Sequence, residues 1–76
     1  MKHAFHFIHF VETPIREVRT YTCKNNRSGD ELGGIVYHRP WHQWCFVPSG
    51  DAIFSADCLA DVQTFLSQLA TEGTTP

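Results

Sequence analysis

The 76-residue chain lacks the short motifs that bind zinc, phosphate or a dinucleotide. Its three cysteines, Cys23, Cys45 and Cys58, are an odd number without C-x-x-C spacing, whereas secreted disulfide-bonded domains carry even sets. The glycine pair in 32–35 matches neither the Walker loop nor the dinucleotide-binding loop. These absences predict a protein that is not an enzyme and that binds no cofactor or metal.

Long apolar segments are also absent. Histidines at positions 3, 6 and 9 interrupt the N-terminal apolar residues, so no signal-peptide core forms. No run approaches the roughly 20 apolar residues that a membrane helix needs. The sequence therefore predicts a cytoplasmic protein with reduced thiols and no membrane contact. Its length predicts a single domain, 1–76, with an ordered core of about 2–70 and a flexible tail, 71–76.

Positive charge is missing from the C-terminal half. The net charge is −2, and neither Lys nor Arg follows Arg39. The acidic residues beyond that point are Asp51, Asp57, Asp61 and Glu72. This balance gives no bulk electrostatic reason to expect nucleic-acid or anionic-membrane binding. The acidic half is either a solvated helix face or a contact surface for a basic partner.

Aromatic and β-branched residues are abundant and fall in short runs typical of strands. The predicted strands cover 3–11, 17–23, 32–38 and 43–47, and a further short edge strand is expected at 52–54. Clusters rich in Asn, Gly, Ser and Pro separate most of these runs and predict turns. The pattern therefore indicates an antiparallel meander of four or five strands.

Apolar residues from 58 to 69 recur with the 3.6-residue period of a helix. The stripe consists of Cys58, Leu59, Val62, Phe65, Leu66 and Leu69. Ser55 or Asp57 is expected to cap the helix, and Gly73 to end it. The fold class is therefore predicted as α+β, with one C-terminal helix packed on one face of the sheet.

The predicted helix covers only one face of the sheet, so the other face must meet water or a partner. A wet face of an antiparallel sheet should be polar, but the first and fourth predicted strands are apolar on both faces. Either the sheet curls into a partial barrel, or apolar surface remains for a homodimer or a foreign protein. Burial in a complex would suit so short a chain.

The segment 37–44 is rich in the residue types that dominate binding hot spots. We define its partner-binding candidates as the aromatic patch, which consists of Tyr37, Arg39, Trp41, His42 and Trp44. Trp41 follows a proline in an expected loop and should be exposed, whereas Tyr37 and Trp44 also suit a core. The patch predicts a protein–protein interaction module with a protein partner and a homodimeric form.

A second interpretation of the same aromatics is a single-stranded nucleic-acid-binding domain. The patch would stack bases on a sheet surface, while Arg19, Lys24 and Arg27 contact phosphates. The small number of basic residues argues against it. Binding with a steep salt dependence would support it.

Two further groups of residues suggest chemistry that we set aside. On a strand, His6 would lie on the face opposite His3 and His9, so the three could not share a metal ion. Cys58 is expected in the first helical turn, where the helix dipole lowers a thiol pKa. It also lies on the apolar stripe, so we interpret it as a core residue.

The order of motifs from 26 to 66 resembles a group of short phage- and prophage-encoded proteins of uncharacterised role. The matching segments are 26–29, 32–37, the run 40–48 that opens Pro40-Trp41, Phe54, and the start of the helix at 58–66. This chain departs from the pattern at Gly34 and at His42, where Arg is more usual. The resemblance implies a bacterial or phage cytosolic setting in which a small protein binds a larger host protein.

Overall fold

The computed structural model describes residues 1–73, in which four antiparallel strands form one open sheet. The strands are β1 (Ile8–Glu12), β2 (Tyr21–Asn25), β3 (Glu31–His38) and β4 (Gln43–Pro48), paired in the order β1-β2-β3-β4. Helix α1 (Ala56–Thr71) packs on one face of this sheet. The predicted α+β meander with a C-terminal helix is confirmed, in its four-stranded form.

The N-terminal segment does not form one strand over 3–11, as the sequence predicted. A tight turn over 5–8 pairs Ala4 with His9, and the Phe10 N–H donates a 2.9 Å hydrogen bond to the His3 carbonyl. β1 therefore begins only after this turn. The turn contains neither Gly nor Pro, so the usual turn signal was missing from the sequence.

The second predicted strand, 17–23, also begins too early because its first residue lies in a tight turn. Arg16 and Glu17 have φ angles of 51° and 66°, and Ile15 and Val18 exchange two backbone hydrogen bonds around them. Two consecutive positive φ angles define a type I′ turn, whose twist matches that of the flanking strands. β2 then begins at Tyr21.

A bulge in β3 changes which side chains reach the core. Cys23 lies opposite Gly33 and Lys24 lies opposite Glu31, so Leu32 is the extra residue of the bulged strand. Leu32 consequently packs against the core together with its neighbours on the helix side. Glu31 is returned to the opposite face, next to Lys24.

Helix α1 begins after Ser55, whose Oγ accepts a 3.2 Å hydrogen bond from the Cys58 N–H. Ser55 is thus the N-cap, one of the two residues predicted for that role. Gly73 has a φ of 65° just beyond the helix, as its predicted role as a stop requires. Thr71, the first position of the predicted flexible tail 71–76, is the last residue of α1. Positions 74–76 lie outside the described residues.

The predicted edge strand at 52–54 is wrong, because residues 1–73 form no fifth strand. This segment instead connects β4 to α1, and Ile53 is 90% exposed. Phe54 turns inward, and its ring meets the Phe46 ring edge-on at 5.2 Å. The Ser49 N–H also donates a 2.9 Å hydrogen bond to the Leu32 carbonyl, so the connection is held at both of its ends.

The core lies between the sheet and α1 and is built around Phe65. The Phe65 ring stacks on Phe10 at 4.1 Å and meets the edge of Tyr21 at 5.0 Å. The buried apolar residues are Ile8, Phe10, Tyr21, Cys23, Ile35, Trp44, Val62, Phe65 and Leu69. Of the predicted helix stripe, only Leu59 is largely exposed.

Two hydrogen bonds tie the N-terminal segment to the last turns of α1. The Lys2 N–H donates to Gln68 Oε1, and Gln68 Nε2 donates to the Lys2 carbonyl, each at 2.9 Å. Within residues 1–73, no helix is both long enough and apolar enough to cross a lipid bilayer.

Candidate functional site

A cleft of about 480 Å³ lies between α1 and the end of the sheet where β3 joins β4. Strand alternation places Tyr37 and Trp44 on the helix side, and the spacing of 63, 66, 67 and 70 places those residues along one helix face. The lining residues are Tyr37, His42, Gln43, Trp44, Gln63, Leu66, Ser67, Ala70 and Gly73. Among residues 1–73, this lining contains no Asp, Glu, Lys or Arg, so the cleft suits an uncharged group.

The aromatic wall of the cleft is held rigidly by the core. Trp44 is only 8% exposed, and its ring meets Tyr21 at 6.1 Å and Tyr37 at 5.6 Å, both edge-on. Edge-to-face contacts at these distances are favourable because ring edges and faces carry opposite partial charge. Tyr37 and Trp44 therefore serve the core and line the cleft together.

The connection between β3 and β4 positions His42 at the cleft. A short 3₁₀ turn, Arg39–Trp41, is followed by His42 in the left-handed conformation (φ 53°, ψ 42°). The His42 N–H donates a 3.1 Å hydrogen bond to the Arg39 carbonyl, which closes the turn. Gln43 then enters the sheet opposite His38.

Trp41 and Arg39 lie outside the cleft. Trp41 is 66% exposed, which confirms the expectation for this position, and its ring packs edge-on against His38 at 4.7 Å. His38 follows Tyr37 in β3, so the two side chains lie on opposite faces of the sheet. The structure therefore divides the aromatic patch. Three of its members line the cleft, while Arg39 and Trp41 lie beyond its margin.

The helix contributes cleft residues that sequence reasoning missed. Gln63, Leu66, Ser67 and Ala70 line the cleft, and none of them was predicted as a site residue. Their spacing of i, i+3, i+4 and i+7 identifies a shared face. Which part of the sheet that face approaches depends on the packing angle of α1, and the spacing does not encode it.

The sheet face turned away from α1 is not covered by any helix, and we call it the open face. Its centre carries small and β-branched side chains, while Lys24 and Glu31 lie side by side at one end. By strand alternation its members are His9, Val11, Thr22, Lys24, Glu31, Gly34, Val36, His38, Gln43, Cys45 and Val47. The sheet is open and does not curl into a partial barrel, which was the other arrangement considered from the sequence.

The three N-terminal histidines point in different directions. The His3 ring lies 5.7 Å from the Phe65 ring on the helix side, while His6 lies in the turn. His9 Nδ1 lies 2.6 Å from Asn26 Oδ1 on the open face. The expectation that His3 and His9 share a face is therefore wrong, because the turn reverses the chain. Residues 1–73 contain no group of three side chains placed to hold a metal ion.

The thiols differ in their surroundings. Burial raises the pKa of Cys23 to about 11, and the nearby Cys58 thiol adds to this effect. A thiolate at Cys23 is therefore strongly disfavoured near neutral pH. Cys45 and Cys58 are half-buried, and all three cysteines are free.

Two rings of the aromatic patch are poorly placed for the nucleic-acid interpretation. Base stacking requires aromatic rings on an accessible sheet surface, but Tyr37 and Trp44 lie on the helix side. Arg19 is also engaged, since its Nε lies 3.5 Å from Glu12 Oε2 and its guanidinium lies over the Tyr21 ring.

Fold and site together define a small α+β domain with an uncharged, partly aromatic cleft. Comparison with protein-family models, with curated proteins and with solved structures gives no match for this chain.

Proposed function

We propose that this protein is a small, non-enzymatic protein–protein interaction module whose cleft receives an apolar side chain of a protein partner. The observation that carries the proposal is the cleft itself, which is about 480 Å³ and is lined by Tyr37, Trp44 and Leu66 without a formal charge. Concave, mostly apolar sites with a few polar groups are the usual form of binding pockets.

The polar groups of the cleft suit a peptide main chain. Gln63 offers a donor and an acceptor, and Ser67 adds a hydroxyl. These groups can pair with partner amides while an apolar side chain enters between the rings. Because Trp44 is already fixed by neighbouring rings, little side-chain entropy is lost on binding.

Trp41 and Arg39 extend the contact beyond the cleft. Trp41 is 66% exposed and Arg39 is also exposed, and both belong to the residue types enriched in hot spots. In this proposal the partner covers the aromatic patch as a whole, with its anchor in the cleft and its flank on Trp41.

We further propose the setting of this interaction. Free cysteines suit a reducing cytoplasm, and the motif resemblance supports a phage or prophage origin and a host protein as partner. Exposed valines on the open face support self-association into a homodimer.

Selection of peptides from a random library, followed by titration calorimetry of the enriched sequences, tests the proposal. Ser67→Tyr fills the cleft from an exposed helix position and should weaken peptide binding at least about tenfold, a loss of about 1.4 kcal/mol. Thr64→Tyr is the matched control, because Thr64 is exposed on the same helix and does not line the cleft. Trp41→Ala should weaken binding by a smaller factor.

Two outcomes would contradict the proposal. One is that no peptide is enriched, or that both tyrosine variants bind the enriched peptides as the wild type does. The other is that single-stranded oligonucleotides bind with a steep salt dependence and that only Trp41→Ala weakens this binding. The second outcome would support the nucleic-acid alternative instead.

A further inference from the structure

We propose that the open face binds the same face of a second copy of this chain, about a two-fold axis that runs parallel to the strands between β2 and β3. The inference rests on the self-association proposed above and adds the face, the axis and the residue pairs. It concerns a surface distinct from the cleft, which lies on the helix side of the sheet.

The centre of the open face is flat enough to pack against another sheet. Strand register places Val11, Thr22, Gly34 and Val47 in one row across all four strands. A Cβ added at Gly34 would meet only the Tyr21 carbonyl oxygen, at 3.7 Å, so the middle of the row is a shallow gap. Stacked sheets pack about 10 Å apart when side chains of this size face each other.

The next row along the strands carries opposite charges side by side. His9, Lys24 and Glu31 lie in register across β1, β2 and β3. Within the described residues, neither Lys24 nor Glu31 forms a salt bridge. Both charges are therefore available to a partner.

A two-fold axis parallel to the strands makes this row self-complementary. The operation lays β2 of one copy over β3 of the other, so each Lys24 faces Glu31 of the second copy. The same operation lays Thr22 over the gap at Gly34. It also lays Val11 over Val47 and buries the two exposed valines of the face.

The other face-to-face two-fold axis runs across the strands and lacks this complementarity. It would lay the row with Lys24 and Glu31 over the opposite end of the sheet, near His38 and Gln43. Neither of those side chains carries a fixed charge opposite to Lys24 or Glu31. The charged row therefore selects the axis parallel to the strands.

The size of the face sets the strength of the dimer. Four strands spaced about 4.8 Å apart and about five residues long give a footprint of roughly 19 by 17 Å. Accessible surface exceeds footprint, so the dimer would bury on the order of 1,000 Å² in total, at the low end for specific interfaces. We expect a weak dimer with a dissociation constant on the micromolar scale.

Sedimentation equilibrium over a range of protein concentrations tests the charge pairing. Lys24→Glu alone should weaken the dimer about tenfold, because it sets two carboxylates against each other in each half of the interface. Glu31→Lys alone should act similarly. The double variant restores opposite charges and should return the dissociation constant to within about threefold of the wild type.

A matched pair of substitutions tests the face itself. Val47→Lys places a charge in the centre of the open face, and Leu59→Lys places one on the outer surface of α1. Val47 and Leu59 are 54% and 51% exposed, so the two changes disturb folding to a similar extent. We expect Val47→Lys to be monomeric and Leu59→Lys to dimerise, with thermal melts confirming that both are folded.

These experiments distinguish a dimer that forms through another face from the absence of a dimer. A dimer that survives Val47→Lys and ignores the charge reversals overturns the inference but leaves self-association standing. A wild-type monomer at all concentrations overturns both. The cleft-filling Ser67→Tyr variant should dimerise like the wild type, and its loss of dimerisation would place the interface at the cleft instead.

Discussion

At the scale of single residues, the turn between β1 and β2 carries conformational strain. Arg16 and Glu17 both adopt positive φ, although side chains with a Cβ disfavour the left-handed region by about 1 kcal/mol or more each. Asn-Gly is the preferred pair for a type I′ turn because these residues tolerate positive φ. The hairpin of β1 and β2 therefore forms although its turn residues disfavour positive φ.

Replacing the two turn residues should stabilise the protein. Arg16→Asn combined with Glu17→Gly relieves the left-handed strain, so we expect the free energy of unfolding to rise by about 1–2 kcal/mol in urea denaturation. Asp51→Gly is the control, because Asp51 lies in an exposed turn without positive φ and should give no gain. A double variant no more stable than the control would show that the turn is unstrained.

The residue scale also shows where sequence reasoning succeeds. The exposure of Trp41 was predicted from its neighbouring proline, and the cap at Ser55 was predicted from its hydroxyl and its position. The left-handed His42 and the turn at 16–17 were not predicted, because positive φ is uncommon for any residue other than glycine. Local chemistry therefore predicts typical conformations and misses those imposed by the strands.

At the scale of elements, two adjacent glycines of β3 face very different neighbours. A Cβ at Gly33 would lie 2.6 Å from the Phe46 ring and 2.7 Å from the Val47 carbonyl oxygen. At Gly34 the atom nearest to such a Cβ would be the Tyr21 carbonyl oxygen, at 3.7 Å, which is an ordinary contact distance. The strand thus needs glycine at the first position only, where the β4 backbone and an aromatic ring approach.

Substituting alanine at each of the two glycines tests whether only Gly33 is required for stability. Gly33→Ala should lower the free energy of unfolding by about 1–3 kcal/mol, because β4 and Phe46 must shift to admit the methyl group. Gly34→Ala should leave stability unchanged or raise it by up to about 1 kcal/mol. Thermal melts at low protein concentration make the comparison, and equal melting temperatures would refute the steric argument.

The elements differ in how well the sequence predicts them. β3, β4 and α1 were predicted closely because turn residues or a helical apolar period bound them. β1 and β2 were displaced because their hairpin turns at 5–8 and 16–17 contain none of the usual turn residues, Gly, Pro, Asn, Asp or Ser. The cleft was only half predicted, since its helix wall depends on how α1 crosses the sheet.

At the scale of the whole molecule, Cys23 reports on global unfolding. Its side chain is fully buried between sheet and helix, and burial raises its pKa to about 11. Reaction with a thiol reagent at pH 8 therefore requires the core to open, whereas Cys45 lies half-exposed on the open face.

Thiol labelling followed by mass spectrometry checks this contrast. We expect Cys45 to react far faster than Cys23, and denaturant should accelerate Cys23 in proportion to the unfolded population. Rapid labelling of Cys23 without denaturant would contradict the buried position.

The free energy of unfolding should also fall as the pH rises from about 9 to about 11. The Cys23 thiol ionises first in the unfolded chain, which draws the equilibrium towards unfolding.

The hydrogen-bonded pair of Lys2 and Gln68 brings the two ends of the fold together. A short flexible linker can therefore join them without crossing the sheet, and new termini can be opened at the exposed turn 49–51 between β4 and α1. Such a circular permutant keeps every strand pairing. It also turns a meander with a terminal helix into a helix-first protein in which both sheet edges are unchanged.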